Sequence, residues 1–248
     1  MLPRERIQAA LDFKPVDKIP LQIFAAPGGL YEHGQKLVEL IKACGHDFGD
    51  FQDLVLPAPP GPQDFDPDGS YHAIKTDDWG TTWEYRIFGV WGHPIRWPLN
   101  DLAHLPAYTP PPPPASKGAD FDKAKTVAEK HKQSFYLLEG GGSLFETLHS
   151  LRRFEEVLMD IMLDTPEINR IENMIAEYVR ACVCRALALD ADGISFGDDF
   201  GTQTAPLLSP AIWRKFFKPR YKNLFNPILK AGKKIFFHSC GQITPFLE

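Results

Sequence analysis

Lys233-Lys-Ile-Phe-Phe-His-Ser-Cys-Gly241 and, upstream of it, Asp192-Gly-Ile-Ser-Phe-Gly-Asp198-Asp199 decide the fold. Each is an apolar run of strand length that closes on polar side chains and glycine. Between them, Ser209-Pro210 supplies an N-cap and a first-turn proline for a helix, which is expected to bend near Pro219 and Pro227. Strand, helix and strand in succession predict parallel pairing with a crossover helix.

The same rhythm extends toward the N-terminus. Ser134 to Glu139 reads as a strand ending in Gly140-Gly141-Gly142, after a helix over 122–133 and before helices over 143–151 and 153–163. A long helix begins at Thr165-Pro166-Glu167. Its stripe of Ile168, Ile171, Ile175, Val179, Cys182, Ala186 and Leu189 is spaced three and four apart. Nearer the start, Arg4–Leu11 and Lys36–Cys44 read as helices, Lys18–Phe24 and Leu54–Pro57 as strands, and Gly28-Gly29 as a loop.

Residues 71–99 break the rhythm. Trp79, Trp83, Tyr85, Ile87, Phe88, Val90, Trp91 and Trp97 alternate with glycine and polar residues, which predicts an inserted hairpin or meander. Its aromatic residues are expected to form a small core over one end of the larger fold, with a ligand-binding lid as the alternative. The proline run Pro110–Pro114 reads as an extended spacer.

Five core strands (19–24, 54–57, 134–139, 192–198 and 233–239) separated by helices predict a single α/β domain over 1–248, a (β/α)8 TIM barrel with about five of its eight strands present. Ile243–Glu248 reads as the first turn of a further helix, so the barrel is expected to be incomplete at its C-terminus. Open sheet edges then predict low stability or homo-oligomer formation across the edge.

Composition excludes several function classes. A formal net charge of −5 carries no footprint for nucleic acid or an anionic membrane. The N-terminus has no signal-peptide core, and no apolar run reaches spanning length. Cys44, Cys182, Cys184 and Cys240 do not make a secreted disulfide framework, so a reducing, cytoplasmic setting is expected.

In an α/β barrel, chemistry gathers at the carboxyl ends of the strands. His238 and Cys240 stand two apart in extended chain, on one side, and offer half of a zinc site. Cys182 and Cys184 stand two apart on a helix, far round its axis from each other, and read as structural. Asp198-Asp199 is poorly suited to a core, so at least one carboxylate is expected to face the pocket. Glu139 and the backbone of Gly140 and Gly141 end a neighbouring strand and are expected in the same pocket. Asp77-Asp78 reads as turn chemistry.

These segments resemble the uroporphyrinogen-decarboxylase superfamily. Arg4-Glu-Arg-Ile-Gln-Ala-Ala-Leu11 with Asp17-Lys-Ile-Pro20 is similar to its opening, and Asp77-Asp-Trp-Gly80 to its D-x-W-G segment. Asp198-Asp-Phe-Gly-Thr-Gln203, Ser209-Pro-Ala-Ile-Trp213 and His238-Ser-Cys-Gly241 follow in the family's order. His-x-Cys-Gly is similar to the zinc-binding, cobalamin-dependent methyltransferase branch. That resemblance implies zinc on His238 and Cys240 and a third ligand, a cysteine, from beyond this chain's last residue. It implies a corrinoid on a partner protein as methyl carrier, and a small thiol or methyl donor as substrate. Asp198 and Glu139 are then expected as catalytic groups, with Asp199, Gln203, Gly140 and Gly141 binding substrate. The alternatives are a porphyrinogen decarboxylase-like lyase and a catalytically incomplete fragment. Ala25–Tyr31, where the decarboxylase carries arginines for its substrate's carboxylates, has none.

Overall fold

The computed structural model describes residues 1–51 and 54–247, and the chain parts into two compact units. The first comprises 1–77, 81–96 and 129–137; the second comprises 78–80, 97–128 and 138–248. Among the described residues no helix is long and apolar enough to cross a membrane.

In the first unit, α1 (Pro3–Leu11), α2 (Pro27–His33) and α3 (Gln35–Cys44) precede the antiparallel sheet β1 (Ala73–Thr76), β2 (Thr82–Tyr85) and β3 (His93–Arg96), in the order β1-β2-β3. The meander expected over 71–99 is this sheet. Asp77 performs the expected turn chemistry, accepting the Thr81 N–H at 2.9 Å and the Trp83 Nε1–H at 2.7 Å. Leu30, Val38 and Ile41 form a small core under α2 and α3, with Ile23, Phe51 and Leu54 packed against it. The expected loop at Gly28-Gly29 is instead the first turn of α2, which Pro27 starts without needing a donor.

Two of the five expected core strands are absent. Among the described residues, 19–24 and 54–57 belong to no strand, so the parallel sheet holds three strands rather than five. Apolar content misled here, because Ile19 and Phe24 are each 86% exposed. What holds 19–24 is a polar clamp. The Leu21 N–H donates to Asp47 Oδ2 at 2.7 Å and the Asp47 N–H returns to the Leu21 carbonyl at 2.8 Å. Buried Arg6 pairs with Asp47 and donates through Nε to Asp17 at 2.7 Å. Pro20 and the prolines at 57, 59 and 60 further disfavour a continuous ladder.

The second unit follows the predicted order of elements, but the strand expected over 134–139 instead spans 138–142 and takes in the three glycines: α4 (Ala119–His131, whose residues from 129 on fall in the first unit), β4 (Leu138–Gly142), α5 (Phe145–Leu151), α6 (Phe154–Leu163), α7 (Pro166–Ala188), β5 (Gly193–Gly197), α8 (Pro210–Lys230) and β6 (Lys234–His238). The strands pair in the order β4-β5-β6, both pairs parallel, with Gly197 opposite His238 at the carboxyl end. The Thr165 and Ser209 hydroxyls cap α7 and α8 by accepting the Ile168 and Ile212 N–H groups at 3.3 Å each. Helix α8 runs on through Pro219 and Pro227. Thr244–Phe246 is a 3-10 turn.

Strand alternation gives this sheet two distinct faces. Ile194, Phe196 and Phe237 turn toward the helices: the Phe196 ring meets Phe225 at 5.1 Å, and Phe237 meets Tyr221 at 5.2 Å, both partners on α8. Ser195, Gly197 and His238 turn to the opposite face. Behind the sheet, Phe145, Phe200 and Phe217 stack in one aromatic core, all of them buried.

Arg152 ties α5 and α6 to the segment before them. Its guanidinium is buried and donates to Asp160 at 2.7 Å, to Glu156 at 3.0 Å, and to the carbonyls of Leu99 and Asn100 at 3.3 and 2.8 Å. Arg152→Ala strands the buried Asp160 carboxylate, and breaking one side of such a pair costs about 3–5 kcal/mol. Thermal melting should show a drop on the order of 10 °C; an unchanged melting temperature would show that the four acceptors are solvated.

Candidate metal centre

Beyond the carboxyl end of β5 the chain continues Asp198-Asp199, and the alternation that placed Phe196 decides where each carboxylate goes. Asp198 follows Phe196 to the helix side. It is 1% exposed, and its Oδ2 accepts the Leu144 N–H at 2.9 Å and the Tyr221 hydroxyl, while Oδ1 accepts the Glu146 N–H at 2.8 Å. Burial pushes this carboxyl up to about 7, against the Tyr221, Glu146 and Leu144 donors that favour the charged form. Burial first, and the Asp198 charge second, raise the Tyr221 phenol well above its ordinary value.

Asp199 takes the other side, with His238. Its Oδ1 accepts the Cys240 N–H at 2.7 Å and lies 3.5 Å from His238 Nε2. The His238 Nε2 and Cys240 Sγ are 3.4 Å apart. One ligand atom from each of Asp199, His238 and Cys240 therefore lies within 4.8 Å of the other two. The Asp199 carboxylate raises the Cys240 thiol, by its hydrogen bond and then by its charge.

The two loops that carry this group are fastened by backbone. The Asp198 N–H donates to the His238 carbonyl at 3.1 Å, the Phe200 N–H to Ser239 Oγ at 3.1 Å, and the Gln242 N–H to the Thr202 carbonyl at 2.7 Å. Gly241 has a φ of +78°, and a Cβ there would sit 2.2 Å from the Gly201 carbonyl oxygen. Glycine after Cys240 is thus required both by conformation and by the close approach of the second loop.

The structure does not gather every residue expected at the pocket. Glu139 turns with Gly141 to the helix side of β4, where Arg185 of α7 stands 3.9 Å from its carboxylate. A Cβ on Gly141 would strike the Phe196 ring at 2.5 Å, so this glycine serves packing on that side. Gly140 turns to the His238 side, where a Cβ would meet nothing within 4 Å. Gln203 is exposed in the turn that Thr202 Oγ1 braces by accepting the Thr204 and Ala205 N–H groups at 3.3 and 3.0 Å. Glu146, not singled out from sequence, does belong here: its Oε1 accepts the Asp199 N–H at 3.2 Å. The only sequence signal for it was its place in the first turn of a helix that follows a strand end.

A parallel sheet with helices on one face and polar side chains gathered beyond its carboxyl ends defines an α/β protein of the enzyme kind. Residues 91–248 match the family model of uroporphyrinogen decarboxylase (URO-D), and the chain belongs to that family. No curated protein matches it by sequence. Among solved structures, a methyltransferase from Methanosarcina mazei is similar in fold, with a TM-score of 0.58 at 16% identity, over 100% of this chain and 72% of that one.

Asp198 therefore reads as the fastening between loop and helix. Asp198→Ala leaves a buried phenol and two backbone N–H groups without an acceptor, at about 1–3 kcal/mol for each. Urea denaturation of metal-free protein should show a loss of at least about 3 kcal/mol; a loss under about 1 kcal/mol would free Asp198 for a chemical role.

Proposed function

We propose that Asp199, His238 and Cys240 bind one zinc ion, and that the chain is a zinc-dependent methyltransferase that moves a methyl group to or from a corrinoid held by a partner protein. The observation that carries this reading is the spacing of the three ligand atoms. Tetrahedral zinc, bonded to nitrogen at about 2.1 Å, sulfur at about 2.3 Å and oxygen at about 2.0 Å, sets its ligands roughly 3.3–3.6 Å apart. The His238–Cys240 and His238–Asp199 separations of 3.4 and 3.5 Å suit that geometry. Imidazole, thiolate and carboxylate are also a donor set that zinc accepts. Asp199 thereby offers a third donor beside the His238 and Cys240 pair.

Zinc in this setting supplies Lewis acidity, lowering the pKa of a bound thiol or polarising the oxygen of a methyl donor. The chain's own residues do the rest. His238 is 70% exposed on its side chain, so the group stays open to a substrate atom on the solvent side. Cys240 would hold the metal as thiolate, its proton released to solvent. Asp199 remains anchored by the Cys240 N–H, which fixes the carboxylate relative to the sulfur. Gly140 and Gly197 leave the neighbouring strand ends bare of side chains, so a substrate or a corrinoid can approach the backbone. A reducing, cytoplasmic setting suits a working thiolate, and the three strands of the second unit then form an arc of a TIM-barrel wall.

Elemental analysis of the purified chain should find one zinc per chain, lost in His238→Ala and Cys240→Ala and weakened on the order of 100-fold in Asp199→Ala. Mixed with methylcobalamin and a small thiol, the zinc-loaded chain should bleach the methylcobalamin spectrum to that of cob(I)alamin and yield the thioether. Zinc binding without methyl transfer to any thiol tested, or from any aryl ether or methylamine donor to cob(I)alamin, would refute the methyltransferase reading and keep the metal site.

A further inference from the structure

We infer that Glu146 is a positioning residue for the carboxylate arm of this centre: it sets Asp199 against His238 and Cys240. The inference rests on the metal reading above. Glu146 bridges two elements. Through Oε1 it accepts the Asp199 N–H at 3.2 Å, and through Oε2 it meets His149 Nε2 at 3.1 Å, one turn along α5. The His149 ring is itself held edge-on between Phe145 and Phe154, with centroids at 5.0 and 5.5 Å. The Glu146 carboxylate is thus anchored to the rigid body of α5 and presents one oxygen to the loop that carries Asp199.

Loop stability alone does not account for this arrangement. Asp198 already fastens the loop to the start of α5 through the Leu144 and Glu146 N–H groups and to α8 through Tyr221, whereas Glu146 is 41% exposed on its side chain. A partly exposed side-chain contact of this kind contributes little to stability. Glu146 also adds a carboxylate beside the loop that carries Asp199, whose N–H it accepts. Anionic groups held that close together repel unless a cation lies among them. The contact that Glu146 makes is to the backbone of Asp199 itself, so its effect falls on the direction of that side chain. Partners of ligating carboxylates that hold them in place typically govern about 10–100-fold in metal affinity.

Cobalt(II) can replace zinc as the probe, because its visible d–d bands report the ligand set and geometry. Five variants decide the matter: Glu146→Ala, Glu146→Asp, Glu146→Gln, Asp199→Ala and the double variant Glu146→Ala/Asp199→Ala. Glu146→Ala should weaken cobalt and zinc binding by about 10–100-fold and move the d–d bands toward those of Asp199→Ala. Glu146→Asp, too short to reach the loop, should behave like Glu146→Ala. Glu146→Gln keeps an acceptor oxygen and should recover most of the affinity and spectrum. The double variant should bind no more weakly than Asp199→Ala, since both changes remove one function. Thermal melts of the metal-free proteins should coincide. Wild-type affinity and bands in both Glu146→Ala and Glu146→Asp, or fully additive losses in the double variant, overturn the role of Glu146 alone. Failure of the wild-type chain to bind cobalt or zinc overturns the metal reading together with it.

Discussion

The candidate centre depends on one buried carboxylate that takes no part in it. Asp198 sits beneath the N-terminus of α5, where the Leu144 and Glu146 N–H groups have no helical partner of their own, and Tyr221 of α8 supplies a third donor. The positive end of the helix and two otherwise orphaned donors stabilise the charge there. Burial opposes it, and the balance leaves the group titrating near 7. With Asp198 drawn inward to α5 and α8, the next residue in extended chain has to point the other way. Asp199 thus owes its place beside His238 and Cys240 to its neighbour's burial.

This accounts for how far the site was legible in sequence. Spacing two apart was enough to anticipate His238 and Cys240 on one side, although β6 ends at His238 and Cys240 follows it in the loop, held by Asp199. Adjacent carboxylates were readable as a pair in which at least one faces the pocket. Which of them does so depended on tertiary partners that no local pattern announces, namely Tyr221 and the α5 terminus. Glu139 shows the same limit. A carboxylate at a strand end looks like a pocket residue, yet here it shares the side of Gly141, whose missing Cβ makes room for the Phe196 ring. Glu146 was overlooked because a first-turn glutamate is ordinary helix chemistry.

The fold was legible where the chain repeats strand and helix with caps at the joints. The Thr165-Pro166 and Ser209-Pro210 starts set α7 and α8 within a residue, since each hydroxyl has a defined donor to accept. It failed at 19–24 and 54–57, where apolar residues invited a strand assignment. A strand exists only with a partner for its backbone, and here the Leu21 N–H and carbonyl are taken by Asp47. A charged residue more than twenty positions away in sequence thus replaced a sheet neighbour. Periodicity cannot register such a competitor.

The electrostatics of the metal-free group also bear on what it is built for. Asp199 accepts from the Cys240 backbone and raises the Cys240 thiol, with Glu146 adding to the same effect. A site meant to hold a reactive free thiolate would surround the sulfur with cations or a helix N-terminus. Here the sulfur has the His238 imidazole at 3.4 Å, but the Asp199 and Glu146 carboxylates nearby disfavour the free thiolate. With a divalent cation bound, Cys240 would lose its proton more readily and the Asp199 carboxylate would serve as a ligand rather than a repelling charge. On the proposed metal reading, the same three side chains serve a bound cation better than a free thiolate. Placement of Asp199, rather than the identity of the His-x-Cys pair, is what separates the two.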